Sequence, residues 1–139
     1  MGHHQRREFG KQQPADRTKA VSRRLAVGIG EADQWVEQVR AGTTYMQAAQ
    51  DIVEQCLSAG EAIPGFGHRF HTRDPRAARL FQMALELEVE GEHVQMIRAV
   101  EMVITERDQT GSPLPVNIDG AIAAVSADIG IPPSVANAL

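Results

Sequence analysis

The chain has 139 residues, a formal net charge of −4 and a single cysteine. One cysteine excludes an internal disulfide framework, and no apolar run is long enough to span a bilayer, so we expect a cytoplasmic protein. Hydrophobic residues make up 42% of the chain but aromatic residues only 4%. This balance favours a core of packed aliphatic helices over a β-sandwich.

The first 24 residues differ in charge from the rest of the chain. Residues 1–24 carry seven Lys and Arg and two acidic residues, a balance of +5, and the total of −4 therefore leaves −9 for residues 25–139. Residues 1–24 show no helical or strand period, which predicts a disordered basic arm ahead of a helical domain at 25–139. A basic arm suits nucleic acid, but this one has one aromatic residue and no recognisable motif, so nucleic acid is not an expected partner.

Two helices are predicted in the first part of the helical region. Helical periodicity begins at Glu31, and Trp35 lies on the apolar face, where we interpret it as a packing residue rather than a ligand platform. Thr44 with Gln47 three residues later is a capping-box pattern. It predicts the start of a second helix, which we expect to end near Gly60.

Three more helices are predicted after a loop at residues 63–76. The third has Asp74 as its N-cap and Pro75 at its first position, and the fourth starts near Glu92. The fifth follows the turn-rich segment 110–115. No strand pattern is present, so the predicted fold class is all-α with about five helices. The residues of these helices expected to face the core are Ala77, Leu80, Phe81, Met83, Ala84, Leu87, Met96, Ile97, Val100, Met102, Val103, Ile104, Ile118, Ala121, Ile122, Val125 and Ile129.

The loop at residues 63–76 reads Ile-Pro-Gly-Phe-Gly-His-Arg-Phe-His-Thr-Arg-Asp-Pro-Arg. Two glycines flank Phe66, so the backbone there has access to conformations that a side chain forbids. His68 follows on the loop, and Arg76 lies in the first turn of a predicted helix, where an anionic ligand is favoured. Gly-rich loops with one histidine also occur without any site, so the spacing alone leaves both interpretations open.

Two segments together resemble the signatures of the citrate synthase family. Residues 64–69 (Pro-Gly-Phe-Gly-His-Arg), followed by residues 74–76 (Asp-Pro-Arg), resemble the active-site loop of that family. Residues 115–120 (Pro-Val-Asn-Ile-Asp-Gly) resemble its Pro-Asn-Val-Asp segment, and the resemblance as a whole runs from about Ala32 to the C-terminus. The loop is one residue shorter than in an ordinary citrate synthase, which leans towards the citryl-CoA lyase branch.

The resemblance implies an enzyme that condenses acetyl-CoA with oxaloacetate or cleaves citryl-CoA. It assigns His68 to the carbonyl of the keto acid, as hydrogen-bond donor and acid, and Asp119 to the acetyl methyl proton, as base. It assigns Arg76 to a carboxylate of oxaloacetate or citrate. Without the resemblance, Asp119 is a helix N-terminal acid stabilised by the helix dipole, and Arg76 is an ordinary surface charge. His71 and His93 have no motif support, and we expect both at the surface.

The resemblance also implies CoA as a substrate, with no tightly bound cofactor and no metal. The backbone of the loop would lie against the CoA adenine, and one asparagine would touch the pantetheine arm. The residues assigned to CoA in this way are Ile63, Pro64, Gly65, Phe66, Gly67 and Asn117.

Three features of the family are missing from the sequence. A further catalytic histidine is expected near residues 22–23, and no histidine lies within about fifteen residues of that place. The preceding large helical domain and a later arginine are absent as well. We therefore expect a small-domain fragment, truncated at both ends, that turns over slowly or not at all. The competing class is a non-catalytic CoA-binding or helical interaction module, and the expected protein partners are a second copy or a large-domain chain.

Overall fold

The structure is a computed structural model, and it describes residues 14–67, 74–111 and 114–138. Within these ranges the only β-type pairing is an isolated antiparallel bridge between Phe66 and Val116. The prediction of an all-α fold is confirmed, with one short helix more than expected. The helices of the described residues are α1 (Pro14–Arg40), α2 (Tyr45–Ala59), α3 (Pro75–Glu86), α4 (Glu92–Arg107), α5 (Ile118–Asp128) and α6 (Pro133–Ala138).

Helix α1 begins at Pro14, well before the predicted start at Glu31. The predicted disordered arm is therefore wrong for residues 14–24, and residues 1–13 lie outside the described residues. Residues 14–24 contain several Arg, Lys and Ala residues, which are strong helix formers, so this segment extends the helix once the C-terminal half of α1 is packed. That half packs along α5 and α6, and Ile29 is fully buried there.

Local capping signals set the ends of α2 and the start of α3 as predicted. The Thr44 hydroxyl accepts the backbone N–H of Gln47 at 3.1 Å, and Gly60 closes α2 in the left-handed conformation at φ 69°. The Asp74 carboxylate caps α3, with Pro75 at the first helical position. These predictions are confirmed because each depends only on neighbours in sequence.

Helix α4 lies at the centre of the molecule and contacts α1, α2 and α5. Each large apolar side chain that it buries contributes about 1.5–3 kcal/mol to folding. The prediction of its core face is confirmed for five residues, whereas Met102 on the same helix is 55% exposed. The five buried residues that were predicted are Met96, Ile97, Val100, Val103 and Ile104.

Two predicted core faces need correction. Helix α3 ends at Glu86, and the end of the predicted face is exposed, with Leu87 at 68% and Met83 at 41%. Helix α5 buries Ala121 as predicted, but Ile122 and the C-cap residue Ile129 are exposed, and the small residues Gly120, Ala123 and Ala124 are buried instead. Small residues face inward because α1 and α5 approach closely: a Cβ on Gly28 would lie 3.0 Å from the Cβ of Ala123. Among the described helices, none is long and apolar enough to cross a membrane.

Candidate active site

The two sequence motifs lie side by side, joined by backbone hydrogen bonds. The N–H of Gly67 donates to the carbonyl of Pro115 at 2.8 Å, and the N–H of Asn117 donates to the carbonyl of Gly65 at 2.9 Å. The side-chain Nδ2 of Asn117 donates to the carbonyl of Gly67 at 3.0 Å. The loop is therefore fixed directly to the start of α5.

Asn117 also caps α5, since its Oδ1 accepts the backbone N–H of Gly120 at 2.9 Å. The two ends of this amide are thus both used inside the protein, one for the helix and one for the loop. A side-chain contact from Asn117 to a pantetheine arm would have to use the remaining amide proton or the second lone pair of Oδ1. The predicted CoA contact of this residue stays a prediction, and its visible role is structural.

Gly65 and Gly120 touch backbone to backbone. A Cβ on Gly120 would lie 2.5 Å from the carbonyl oxygen of Gly65 and 2.8 Å from its Cα, which leaves no room for any side chain. Gly65 itself has φ +84°, in the left-handed region. The sequence indicated a close approach at the loop, but it did not identify Gly120 as the other half of that contact.

A cavity of about 350 Å³ lies beside this junction, between α1, the loop, α4 and α5. Its wall is mainly apolar, with a few ionisable side chains directed towards the same space, the arrangement typical of ligand sites. Pro64 and Gly65 bring the loop to the cavity, and Asp119 brings the first turn of α5. The remaining lining residues are Arg23, Arg24, Val27, Gly28, Glu31, Ala32, Trp35, His93, Met96, Ile97, Gly120, Ala123 and Ala124.

Asp119 occupies the first turn of α5 and is exposed. Within the described residues its carboxylate has no hydrogen-bond or ion-pair partner. A carboxylate that borders a cavity, without an internal partner, is free to accept a proton from a bound molecule.

Arg76 is held by the aspartate of its own motif. Its Nε and Nη2 donate to the two carboxylate oxygens of Asp74 at 3.1 and 2.9 Å, and the Asp74 side chain is only 3% exposed. The hydrogen bond with Asp74, and then the charges of Asp74 and Asp119, raise the pKa of Arg76. Arg76 therefore lies within the field of Asp119 but does not line the cavity, and its predicted substrate contact stays a prediction.

The predicted acid His68 lies in the segment 68–73, which is outside the described residues. The described neighbours on either side are Gly67, hydrogen-bonded to the second motif, and Asp74, the cap of α3. His71 falls in the same segment. The roles predicted for both histidines therefore stay predictions.

The cavity includes residues that sequence analysis did not select. Glu31 and Trp35 line it from α1, and burial raises the pKa of the Glu31 carboxyl. Val27, Glu31 and Trp35 are spaced by four residues and share one helix face. The prediction that the helix begins at Glu31 left Val27 out of this pattern. His93, predicted at the surface, is only 7% exposed, so that prediction is wrong. In the described part of the chain no group of three or more His, Cys, Asp or Glu is arranged to hold a metal ion.

Comparisons with known proteins agree with this geometry. The model of the family described as citrate synthase, C-terminal domain, matches residues 28–139. A solved structure of citryl-CoA lyase from Hydrogenobacter thermophilus is similar, with a TM-score of 0.63 and 26% sequence identity over 91% of this chain. The match covers 55% of the lyase, so the chain spans about half the length of that protein. No curated protein matches the chain significantly. The matched residues include both motifs and all the described residues of the cavity from Gly28 onward, and the chain belongs to the citrate synthase family, in the part that forms its C-terminal domain.

Proposed function

We propose that this chain carries the acyl-CoA half of a citrate synthase-type site, which condenses acetyl-CoA with oxaloacetate or cleaves citryl-CoA. The observation that supports it best is the junction of the two motifs at one cavity. Asp119 borders that cavity without an internal partner, and Pro64 and Gly65 form the adjacent wall. Removal of a proton from a bound thioester requires a base held beside the ligand, and a carboxylate at the cavity wall can supply it.

The proposed roles of the polar residues are those of the matching motif positions in the citrate synthase family. Asp119 removes the methyl proton of acetyl-CoA in the synthetic direction and returns it in the cleavage direction. His68 acts as the acid at the keto carbonyl, which becomes the tertiary alcohol of citrate. Arg76 binds a substrate carboxylate, and because it already makes a two-point contact with Asp74, it must exchange that partner on binding.

The loop 63–67 supplies the surface for CoA. Gly67 has no side chain, so a planar ring system can approach its peptide groups directly, whereas the backbone of Gly65 is in contact with Gly120. Gly67 adopts φ +94° and is held to Pro115, which fixes the path of the loop before any ligand arrives. A loop fixed in advance loses less entropy on binding than a mobile one.

Turnover by this chain alone is expected to be slow. The wall that α1 presents to Asp119 contains no histidine, so no imidazole from α1 is available to hold the thioester oxygen as it becomes an enolate. Loss of one donor of this kind lowers the rate by about 10²–10³. A large-domain chain of a family enzyme, added separately, is expected to raise the rate.

The test uses Trp35, the single tryptophan of the chain, which lines the cavity. CoA, acetyl-CoA and citrate are titrated into the full chain, and binding is followed by Trp35 emission and by calorimetry. Citryl-CoA cleavage is measured with the wild type and with Asp119→Asn. We expect micromolar CoA binding and weak cleavage that is lost in Asp119→Asn. A folded chain that binds none of these ligands contradicts the proposal.

A matched pair of glycine variants locates CoA at the loop. Gly65→Ala strains a left-handed residue and places a Cβ 3.0 Å from the Cα of Gly120, whereas Gly60→Ala strains a left-handed residue with nothing within 4 Å. The two variants share the backbone strain and differ only in the contact with the site. CoA binding is expected to weaken in Gly65→Ala and to persist in Gly60→Ala. Equal effects of the two variants would place the CoA elsewhere.

A second candidate function is a non-catalytic CoA-binding module. The absence of histidine from α1 favours it, because binding through the loop needs no such residue whereas enolate formation does. This module binds CoA with the same dependence on Gly65, but it shows no citryl-CoA cleavage above the level of Asp119→Asn, with or without an added large-domain chain.

A further inference from the structure

A buried histidine lies between two aspartates at the far wall of the cavity. Nδ1 of His93 is 2.8 Å from Oδ1 of Asp128, and Nε2 is 2.7 Å from Oδ1 of Asp33. The His93 side chain is 8% exposed and that of Asp128 is 2% exposed, whereas Asp33 is 46% exposed and reaches solvent. The three residues come from α4, α5 and α1.

Asp128 is held in its ionised form by the backbone of α4. Its two oxygens accept the N–H groups of Gly91, His93 and Val94 at 2.7, 2.9 and 3.0 Å, so that it caps this helix from a different element. Burial by itself would raise the pKa of Asp128, but the hydrogen bonds from the His93 ring and from these three backbone groups together lower it. An ionised carboxylate accepts hydrogen bonds and donates none.

The geometry therefore specifies the protonation state of His93. A neutral imidazole has one N–H and one lone pair, and here both ring nitrogens face carboxylate oxygens at hydrogen-bond distance. Only the imidazolium donates to both. The hydrogen bond to Asp128, followed by that to Asp33, raises the pKa of His93 against the opposing effect of burial.

The position of this cluster links it to the cavity. His93 itself lines the cavity, Asp33 lies two residues before Trp35 on α1, and Asp128 ends the helix whose first turn carries Asp119. The other charged groups that line the same cavity are Arg23, Arg24 and Glu31 of α1 and Asp119 of α5. Further titratable groups near the cluster are Tyr45 of α2 and the pair Arg40 of α1 and Glu92 of α4, at 3.3 Å.

We propose that His93 is a positioning residue whose second ring proton holds α1 and α5 against α4 and so sets the shape of the cavity. When this proton leaves, one ring nitrogen turns a lone pair towards a carboxylate oxygen, and the attraction becomes a repulsion. Asp33 is the partner that gives way, because Asp128 is fixed by three backbone groups and Asp33 is half exposed. The wall of α1 that carries Trp35 then moves. This inference holds whichever ligand the cavity takes.

The pH range follows from the direction of the shift. The pKa of His93 is raised in the folded chain above the ordinary value of 6.5, so the bridge is fully formed below pH 6.5. The contribution of this bridge to stability is lost as the pH rises through the raised pKa of His93 in the folded chain. The bridge through His93 is therefore formed below pH 6.5, and the cavity wall loosens at a pH above that value.

The experiment follows His93 and Trp35 together in the full chain. The imidazole of His93 is titrated by NMR, with assignment by His93→Gln, and Trp35 emission is recorded over the same pH range without ligand. We expect both signals to change with one common midpoint above 6.5. His93→Gln is expected to abolish the change in Trp35 emission.

A variant at a half-exposed residue tests the same proposal with a smaller expected effect on folding. Asp33→Asn removes one carboxylate partner at a half-exposed site and is expected to move both midpoints to lower pH. Its matched control is Glu37→Gln, which removes an exposed carboxylate from the same helix; Glu37 pairs with Arg40 and not with His93. The control is expected to leave both midpoints unchanged. A His93 midpoint at or below 6.5, or Trp35 emission that ignores the titration of His93, overturns the proposal. Because no CoA is used, failure here is distinguishable from failure of the proposed function.

Discussion

The two ends of α5 each carry an aspartate, and the two aspartates have opposite environments. Asp119 at the first turn is exposed and has no hydrogen-bond or ion-pair partner within the described residues. Asp128 at the last turn is 2% exposed and accepts hydrogen bonds from three backbone N–H groups and one histidine ring. A single short helix thus separates a carboxylate available to a ligand from one fully engaged by the protein.

This difference makes Asp119 the candidate for chemistry and Asp128 a residue that stabilises the fold. A buried charge whose hydrogen bonds are all made inside the fold stabilises one arrangement of helices and is costly to disturb. A carboxylate that borders a cavity, with no internal partner, contributes little to stability and remains reactive. Substitution of Asp128 is therefore expected to lower the stability most, and substitution of Asp119 is expected to lower the activity most. Four substitutions in α5 and its N-cap test this expectation.

The largest loss of stability is expected from Asp128→Ala. It leaves His93 as a buried cation without its main partner and removes the cap of α4, and breaking such a buried pair costs about 3–5 kcal/mol. The measurement is the free energy of unfolding from denaturant titration. The exposed Asp51, which hydrogen-bonds only to Gln47 on the same helix, provides the control, since Asp51→Ala is expected to cost less than about 0.5 kcal/mol. Similar losses for both variants would mean that the cluster does not stabilise the fold.

Gly120→Ala is expected to come next. The added methyl group meets the Gly65 backbone, which cannot withdraw as a flexible side chain can, and overpacking of this kind costs about 1–3 kcal/mol. Gly30→Ala is the control, because its Cβ meets only Pro133 at 4.0 Å and alanine favours the helix by about 0.5–1 kcal/mol. Thermal melting of the two variants should move in opposite directions.

Asn117→Ala is expected to have a moderate effect. It removes the N-cap of α5 and the hydrogen bond to Gly67, and loss of a cap costs about 0.5–2 kcal/mol. Thr44→Ala removes the cap of α2 without touching the loop. CoA titration separates the two variants: binding should weaken in Asn117→Ala and stay normal in Thr44→Ala. Normal CoA binding by a folded Asn117→Ala chain would show that the loop does not need this connection.

The smallest change in stability is expected from Asp119→Asn. The substitution removes the interaction with the helix dipole, which is less than about 1 kcal/mol. It also removes the weak attraction to the exposed Arg76, which solvent screens. The same substitution removes the proposed base, so the loss of citryl-CoA cleavage should be complete while the melting temperature hardly moves. A large drop in melting temperature would instead indicate that Asp119 belongs with Asp128 among the structural charges.

The parts of this fold that could be predicted from the sequence are those that depend on contacts between residues close together in the chain. The caps at Thr44 and Asp74 were predicted correctly because each contact spans two or three residues. The motifs at 64–69 and 115–120 gave the family and the place of Asp119. The face of α5 was predicted correctly at Ala121 and Val125 but wrongly at Ile122 and Ile129, because its large residues set the expected period whereas its close packing on α1 selects the small ones.

The residues that sequence analysis missed are defined by distant partners. His93 contacts Asp128 across 35 positions of the sequence and Asp33 across 60, and no local pattern reports either contact. In the sequence Gly120 is an ordinary residue of the first helical turn, and only the fold brings its backbone into contact with Gly65. Glu31 was assigned to a helix start, although it lies in the middle of α1, because the polar composition of residues 14–24 concealed the helix that precedes it.

The hydrogen bond from the Asn117 side chain to the carbonyl of Gly67 joins residues 50 positions apart. This separation affects the order in which the chain folds. Closing a loop of that length costs entropy that local helix formation does not. Helix α4 and its neighbours are able to collapse first, because their burial does not wait for this junction. The two motifs then meet on a scaffold that is already formed, so we expect the face that carries them to be the last part of the described fold to assemble and the first to open.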